Sequence, residues 1–441
     1  MSVSRAGIAR MALAVCTILV VFGVAFGIDA IILAAGVIEI AGLLLVLPRL
    51  RKLTLAYVFG LVGASVALLL IFPGNLAGVT AGLKDAAVFA AFMASVIIMR
   101  NTVSRHPALA GMREEFGRIP ANDRNGGIYV ASHALGSVMT FGSLALMAPL
   151  FGADNTADQR RANALIILRS ISLAVFWSPF TVAVAIVLQR MPELPAWMLV
   201  TAGVATVGVA TLLGILRGEI RITPNSVTRV LSPILPILGP LLLPVAAIFV
   251  LPTLFGLSSL AAVALVLPVF CLGWLIVIDP SLVEPTVTLS VGQFDYVFDE
   301  VAFFTCSIML ADIIAHSPGL VTLVSDTLAI HDPSFIHFAL AAIAIAVACS
   351  LGIHMVVPAS IALAIIGPQV QGVGQQLGFA IMVLFAWCFG AMVTMSSVVM
   401  LSTANAFQVP VRQLIRSPNM SLMLTLGAIV FAVAAATGAL T

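Results

Sequence analysis

A chain of 441 residues with 61% hydrophobic and 9% charged side chains is not a water-soluble globular protein, in which charged residues make up about 25%. The net charge of +2 comes from 20 basic and 18 acidic residues that form no basic stripe, which argues against a nucleic-acid partner. The composition points instead to an all-α polytopic membrane protein, with the lipid bilayer as its first partner.

The N-terminal Arg5 and Arg10 precede an apolar run without the small-residue cleavage site of a secretory signal. Taking about 20 apolar residues per crossing, spans are expected near 11–27, 30–47, 53–72 and 84–100. A charged connection, Asn101–Asn125, leads into an apolar stretch from Gly126 to Gly152 that reads as a re-entrant hairpin. Further spans fall near 164–189, 196–216, 231–254, 257–278 and 299–316. The apolar region 335–370 is interrupted by Gly352, His354 and Pro358 and reads as a second hairpin; spans near 376–401 and 419–440 complete the chain. The five cysteines (Cys16, Cys271, Cys306, Cys349, Cys388) lie in apolar segments without a CxxC or a His pair at metal spacing, and read as small buried side chains.

The basic residues orient this layout. With a cytoplasmic N-terminus and both hairpins returning to the side they entered from, all of the 20 basic residues except Lys84, Arg190 and the intramembrane Arg169 fall inside. The expected location is therefore the cell inner (plasma) membrane, multi-pass, with the C-terminus outside.

Self-similarity at half the chain length adds organisation. Gly142–Pro149 (GSLALMAP) resembles Ala359–Pro368 (ASIALAIIGP), and Ser178–Pro192 resembles Ser396–Pro410, with Ser178 and Ser396 in register. More loosely, Val88–Met99 resembles Val301–Ile314. The expected domains are an extra N-terminal span (1–29), a first repeat (30–216, hairpin 126–152), a cytoplasmic linker (217–230) and a second repeat (231–441, hairpin 335–370). The halves start from opposite sides, so the repeats are inverted, an architecture common among secondary transporters. In all, about 11 transmembrane helices and two re-entrant hairpins are expected.

The chain resembles the ion transporter superfamily, which includes divalent anion–sodium symporters, arsenite permeases and some sodium–proton antiporters. The resemblance is carried by the inverted halves, Thr305–Leu328, the hairpin arms ending in Pro149 and Pro368, and LSTANAF (Leu401–Phe407). It implies an elevator-like or rocking displacement of a hairpin-bearing core. The dicarboxylate branch has a Ser-Asn-Thr tripeptide at each hairpin tip, where this chain has MTFGS (Met139–Ser143) and VPASI (Val357–Ile361). That departure argues against a dicarboxylate and against the two-sodium site of that branch.

The candidate chemistry rests on polar groups in apolar segments. Arg169 has two readings: snorkelling from about 7 Å below the cytoplasmic interface, or binding an anion beside the first hairpin. Ser137, Thr140, Ser143, Ser178, Ser360, Ser396 and Ser397 offer hydroxyls near the interrupted helices, whose N-terminal ends favour anions; the bland alternative is a bond to each residue's own helix. His354, like His133, lies in a hairpin and is either a substrate contact or a satisfied structural residue. For ion coupling, Asp312, near the exit of its span, is either a solvated interface residue or a protonatable group that could share a proton with His316 one turn away, while Thr403 and Asn405 mark a polar turn suited to sodium. Asp299 and Glu300 read as structural acids at a helix N-terminus.

The expected function is ion-coupled secondary transport of a small solute, with an organic or inorganic anion preferred and Na+ or H+ as the coupling ion. The alternatives are a sodium–proton or other cation antiporter, or the membrane subunit of a multi-component, tripartite-type carrier. No enzyme motif is present: there is no Walker loop, GxSxG or HExxH. No metal or organic cofactor is expected. The small-molecule or ion substrate is the expected ligand, and a homodimer is open.

Overall fold

The computed structural model describes residues 4–72, 75–108, 123–139, 143–144, 147–148, 156–191, 193–328, 330, 332–395 and 397–438. Among them every regular element is helical. The helices gather into two compact units: Met1–Arg105 with Pro244–His331 and Ser360–Gln369, and His106–Leu243 with Asp332–Ala359 and Val370–Thr441.

The first unit opens with α1 (Arg5–Phe26) and α2 (Asp29–Val46). Ser4 caps α1 by accepting from the Gly7 amide at 3.1 Å, and Gly27 ends it at φ +66, a left-handed conformation that only glycine adopts without strain. α3 (Lys52–Ile71) and α4 (Leu76–Ser104) follow. The unit resumes after residue 243 within α9 (Pro224–Phe255), then α10 (Ser259–Ile278), the short α11 (Val283–Gln293), α12 (Phe298–Ala315) and α13 (Pro318–Leu328). Its centre is α4, against which α1, α2, α10 and α12 all pack. The most apolar window of α4 is 72% buried, that of α3 only 11%. Small residues permit the approach: a methyl at Gly36 would lie 2.4 Å from the Leu83 carbonyl oxygen, and methyls at Gly78 and Gly82 would press into the backbone of α12. Phe89 stacks on Phe304 at 4.4 Å between ring centroids.

In the second unit come α5 (Arg124–Met139), α6 (Ala157–Leu173), α7 (Val182–Arg190) and α8 (Ala196–Leu216). After them come α14 (Phe335–Ser350), the start of α15 (Val356–Ile366), α16 (Val373–Val393), α17 (Val398–Phe407), a single turn α18 (Val411–Ile415) and α19 (Pro418–Gly438). Thr156 and Gln159 close a reciprocal cap on α6. The centre of this unit is α16, which packs against α6, α8, α14 and α19.

Nine described helices are long and apolar enough to span a bilayer, ten if the bent pair α12–α13 counts as one. The eleventh expected crossing is missing from that count of long helices for a local reason. The segment 164–189 is two helices, because a 3₁₀ turn at Ala174–Phe176 and then Pro179, which has no amide hydrogen, end α6 before α7 begins. Three boundaries also differ. The span expected to start at 231 begins at Pro224, α11 occupies a stretch read as a connection, and α12 and α13 meet at an angle of 81° across His316–Ser317. The region 335–370 is two short helices separated at residues 351–355, where Gly352 has φ +94; Pro358 sits harmlessly in the first turn of α15. Of the segment 126–152 expected to form the first hairpin, α5 is described, and most of 140–155 lies outside the described residues.

Candidate functional site

The second unit contains two interrupted apolar helices, with breaks at residues 177–181 and 394–397. These are the positions aligned by the Ser178/Ser396 repeat; Ser396 itself, like Thr140, lies outside the described residues. At the first break the Ser178 hydroxyl donates to the Ser137 carbonyl oxygen of α5 and accepts from the Phe180 amide at 3.2 Å. Thr181 Oγ1 donates to the Ser178 carbonyl at 2.8 Å. Backbone groups freed by the break thus find side-chain partners, as a lipid-embedded chain requires. At the second break Ser397, 1% exposed, caps α17 by accepting from the Met400 amide at 3.3 Å.

Beside the first break, Tyr129, His133, Ser170 and Trp177 lock α5 to α6. The Trp177 indole donates to His133 Nε2 at 3.1 Å, which leaves Nδ1 to carry the proton donated to the Ser170 carbonyl at 2.8 Å. The Ser170 hydroxyl donates to the Tyr129 carbonyl at 2.6 Å. Both nitrogens of His133 are occupied, which fits the structural reading.

Arg169 is 3% exposed, so its guanidinium does not snorkel to water. It pairs with Glu219 and donates from Nε to Asn419 Oδ1 at 2.7 Å, while Asn419 Nδ2 donates to the Leu165 carbonyl at 2.9 Å. The arginine therefore ties α6 to α19 and to the turn after α8. Sequence reading missed both partners: Glu219 and Asn419 stand at span ends, where a polar residue is unremarkable.

The remaining candidates divide by what their polar atoms do. Ser137 Oγ donates to the Ala134 carbonyl and Thr403 Oγ1 to the Val399 carbonyl, each within its own helix. Ser143 is buried. Asn405 is exposed on the last turn of α17, which Gln408 ends at φ +53. His354, in the break between α14 and α15, accepts from the Val356 amide at 3.5 Å. Ser360 is 2% exposed, and its hydroxyl has no partner among the described residues.

In the first unit Asp312 is 1% exposed. Its carbonyl oxygen accepts from both the amide and Nδ1 of His316, at 3.0 and 2.8 Å, so the two residues meet at the helix C-terminus. On the same face of α12, two turns back, Thr305 donates to the carboxylate of Glu39. One turn beyond Asp312, Ser317 accepts from the side chain of Asn75. Glu39 also escaped the sequence reading; a lone carboxylate in the middle of an apolar run was the signal that could have found it. Among the described residues no group of three or more His, Cys, Asp or Glu side chains could hold a metal ion.

No protein-family model matches this chain, and no curated protein matches it in sequence.

Proposed function

We propose that the protein is a secondary active transporter that couples the movement of a small solute to an ion gradient, as the resemblance to the ion transporter superfamily implies. The observation that carries this reading is the pair of interrupted apolar helices in one unit, α6–α7 and α16–α17, broken at repeat-aligned positions, with Ser178 bonding the Phe180 amide inside the first break and Ser397 capping α17 at the second. An open backbone facing lipid costs several kcal/mol per unsatisfied group. Such breaks persist where they adjoin protein or a polar cavity, and secondary transporters build their midplane sites from them. The inverted arrangement of the halves is part of the proposal. It is supported by the packing of α4 on α12, which joins the repeat-related segments Val88–Met99 and Val301–Ile314.

An anion would be held by the N-terminal ends of α7 and α17 rather than by Arg169, whose charge Glu219 already balances. Proton coupling is favoured over sodium, because the Thr403 hydroxyl is committed to its own helix and Asn405 faces outward. The second reading, a cation–proton antiporter, is favoured by that same neutralisation of Arg169 together with the buried carboxyl groups Glu39 and Asp312.

Purified protein in sealed vesicles tests both readings. An imposed pH gradient is expected to drive a radiolabelled organic or inorganic anion inward or outward, and dissipation of that gradient by added Na+ or K+ instead selects the antiporter. If neither pH nor sodium gradients drive, or are dissipated by, any solute offered, the transporter reading is wrong.

A further inference from the structure

Glu39 stands ten residues past Asp29, about 15 Å along α2 at 1.5 Å per residue and so near the middle of the span. It is 3% exposed. One carboxylate oxygen, Oε1, accepts from Thr305 Oγ1 at 2.5 Å, and Oε2 has no hydrogen-bond partner among the described residues. From α1 the Cys16 thiol lies close enough to feel its charge, and from α12 so does the Cys306 thiol. Cys16 Sγ itself contacts the Ala87 carbonyl of α4 at 3.9 Å.

The charged groups on the helices that pack against α2 are accounted for elsewhere or stand farther along. Lys84 of α4 is held by Asp29 at 2.8 Å, Arg10 of α1 by Asp295, and Asp299 of α12 by Arg51. Arg100 of α4 donates to the Gln293 side chain. Asp85 of α4 and Glu300 and Asp312 of α12 are acidic and cannot neutralise a carboxylate. Arg5 and His316 stand at the ends of α1 and α12. Among the described residues no cation pairs with Glu39.

A bare carboxylate in that position carries a desolvation cost that binding a proton removes. A metal cation is poorly served there, since hard cations need several oxygen ligands and the site offers one carboxyl group and one hydroxyl. We propose that Glu39 is a proton-binding site, the coupling group of the transport cycle, and this rests on the transporter reading above. Oε2 takes one proton while Thr305 holds Oε1. The proton leaves along the polar face of α12, where Asp312 and His316 follow Thr305 at seven and eleven residues, the spacing of one helical stripe.

The full chain in vesicles gives a test with two separate readouts. Infrared difference spectra between acid and alkaline pH are expected to contain a protonated-carboxyl band that is absent in Glu39→Gln and moves in midpoint in Thr305→Val. The carbodiimide DCCD, which attacks protonated carboxyl groups in apolar surroundings, is expected to modify Glu39 at acid pH, with loss of labelling at alkaline pH. Glu39→Asp keeps the band and guards against a folding defect in Glu39→Gln. A band unchanged between wild type and Glu39→Gln, with Glu39 unlabelled at every pH, overturns the site, as does labelling that Na+ suppresses at constant pH. Proton-driven flux that survives Glu39→Gln overturns the coupling role and leaves the transporter reading standing; a titrating Glu39 in a protein that moves no solute does the reverse.

Discussion

Removing the guanidinium of Arg169 would strand Glu219 and the Asn419 amide in a buried site. Loss of one member of a buried ion pair destabilises by roughly 3–5 kcal/mol, with the lower end expected because the Glu219 side chain keeps 21% of its surface. Arg169→Gln should therefore lower the thermal midpoint of the detergent-solubilised protein by several degrees. Arg169→Gln with Glu219→Gln should recover much of that loss, a non-additivity that a double-mutant cycle measures directly. If the single variant keeps full stability yet loses solute binding, the arginine is a ligand rather than a tie. The same logic applies to His133, where Trp177→Phe would remove a donor from Nε2 and cost about 0.5–1.5 kcal/mol. That change should leave the fold intact and loosen α5 on α6, read as faster hydrogen exchange around Ser170.

Whole helices respond to different forces from single ion pairs. Gly36 and Gly203 are points of backbone contact: a methyl at Gly203 would lie 2.0 Å from the Phe176 carbonyl oxygen. Gly36→Ala and Gly203→Ala are each expected to destabilise by roughly 1–3 kcal/mol, the usual range for overpacking, whereas Gly63→Ala on α3, with nothing within 4 Å, should be neutral or slightly stabilising. Thermal unfolding of the three variants side by side decides the point. The break at residues 351–355 was legible because its chemistry is local, and Gly352 and His354 fall in it. The breaks at 177–181 and 394–397 were not: average hydropathy carries 164–189 and 376–401 through as single spans, although Ser178, Pro179 and Ser397 stand where each helix is interrupted. The angle between α12 and α13 was not legible, since Ser317–Pro318 reads equally well as the start of a new helix in line. Glu39 was lost for a related reason: hydropathy averaged over a span of aliphatic residues hides one carboxyl group, and only packing against Thr305 reveals what it meets. Conversely, the hydroxyls of Ser137 and Thr403 looked available in sequence because nothing in a residue type says that its oxygen will return to its own helix.

For the molecule as a whole, the distribution of Lys and Arg makes a prediction about sidedness that is independent of any site. A reporter that fluoresces only in the cytoplasm should be bright when fused ahead of Arg5 and dark when fused after Thr441, and a reporter active only outside should show the reverse. Fusions after Arg161 and after Arg217 should both report the cytoplasmic side if residues 126–152 re-enter from that side and 164–189 and 196–216 each cross; an outside report at both points would overturn the first hairpin. The contrast between α4 and α3 carries a consequence for variation. Surrounded on most faces, α4 can exchange few side chains without a steric or polar penalty. α3 presents Phe59, Val62, Val66, Leu70 and Ile71 outward, and its Gly60 and Gly63 stand in open space. A saturation library read out by membrane expression should thus find two neighbouring apolar segments behaving as opposites. The one would be intolerant at almost every site. The other would accept nearly any side chain that lipid can dissolve and reject only the charged ones, so that in this protein greasiness alone would be a poor guide to which mutations do harm.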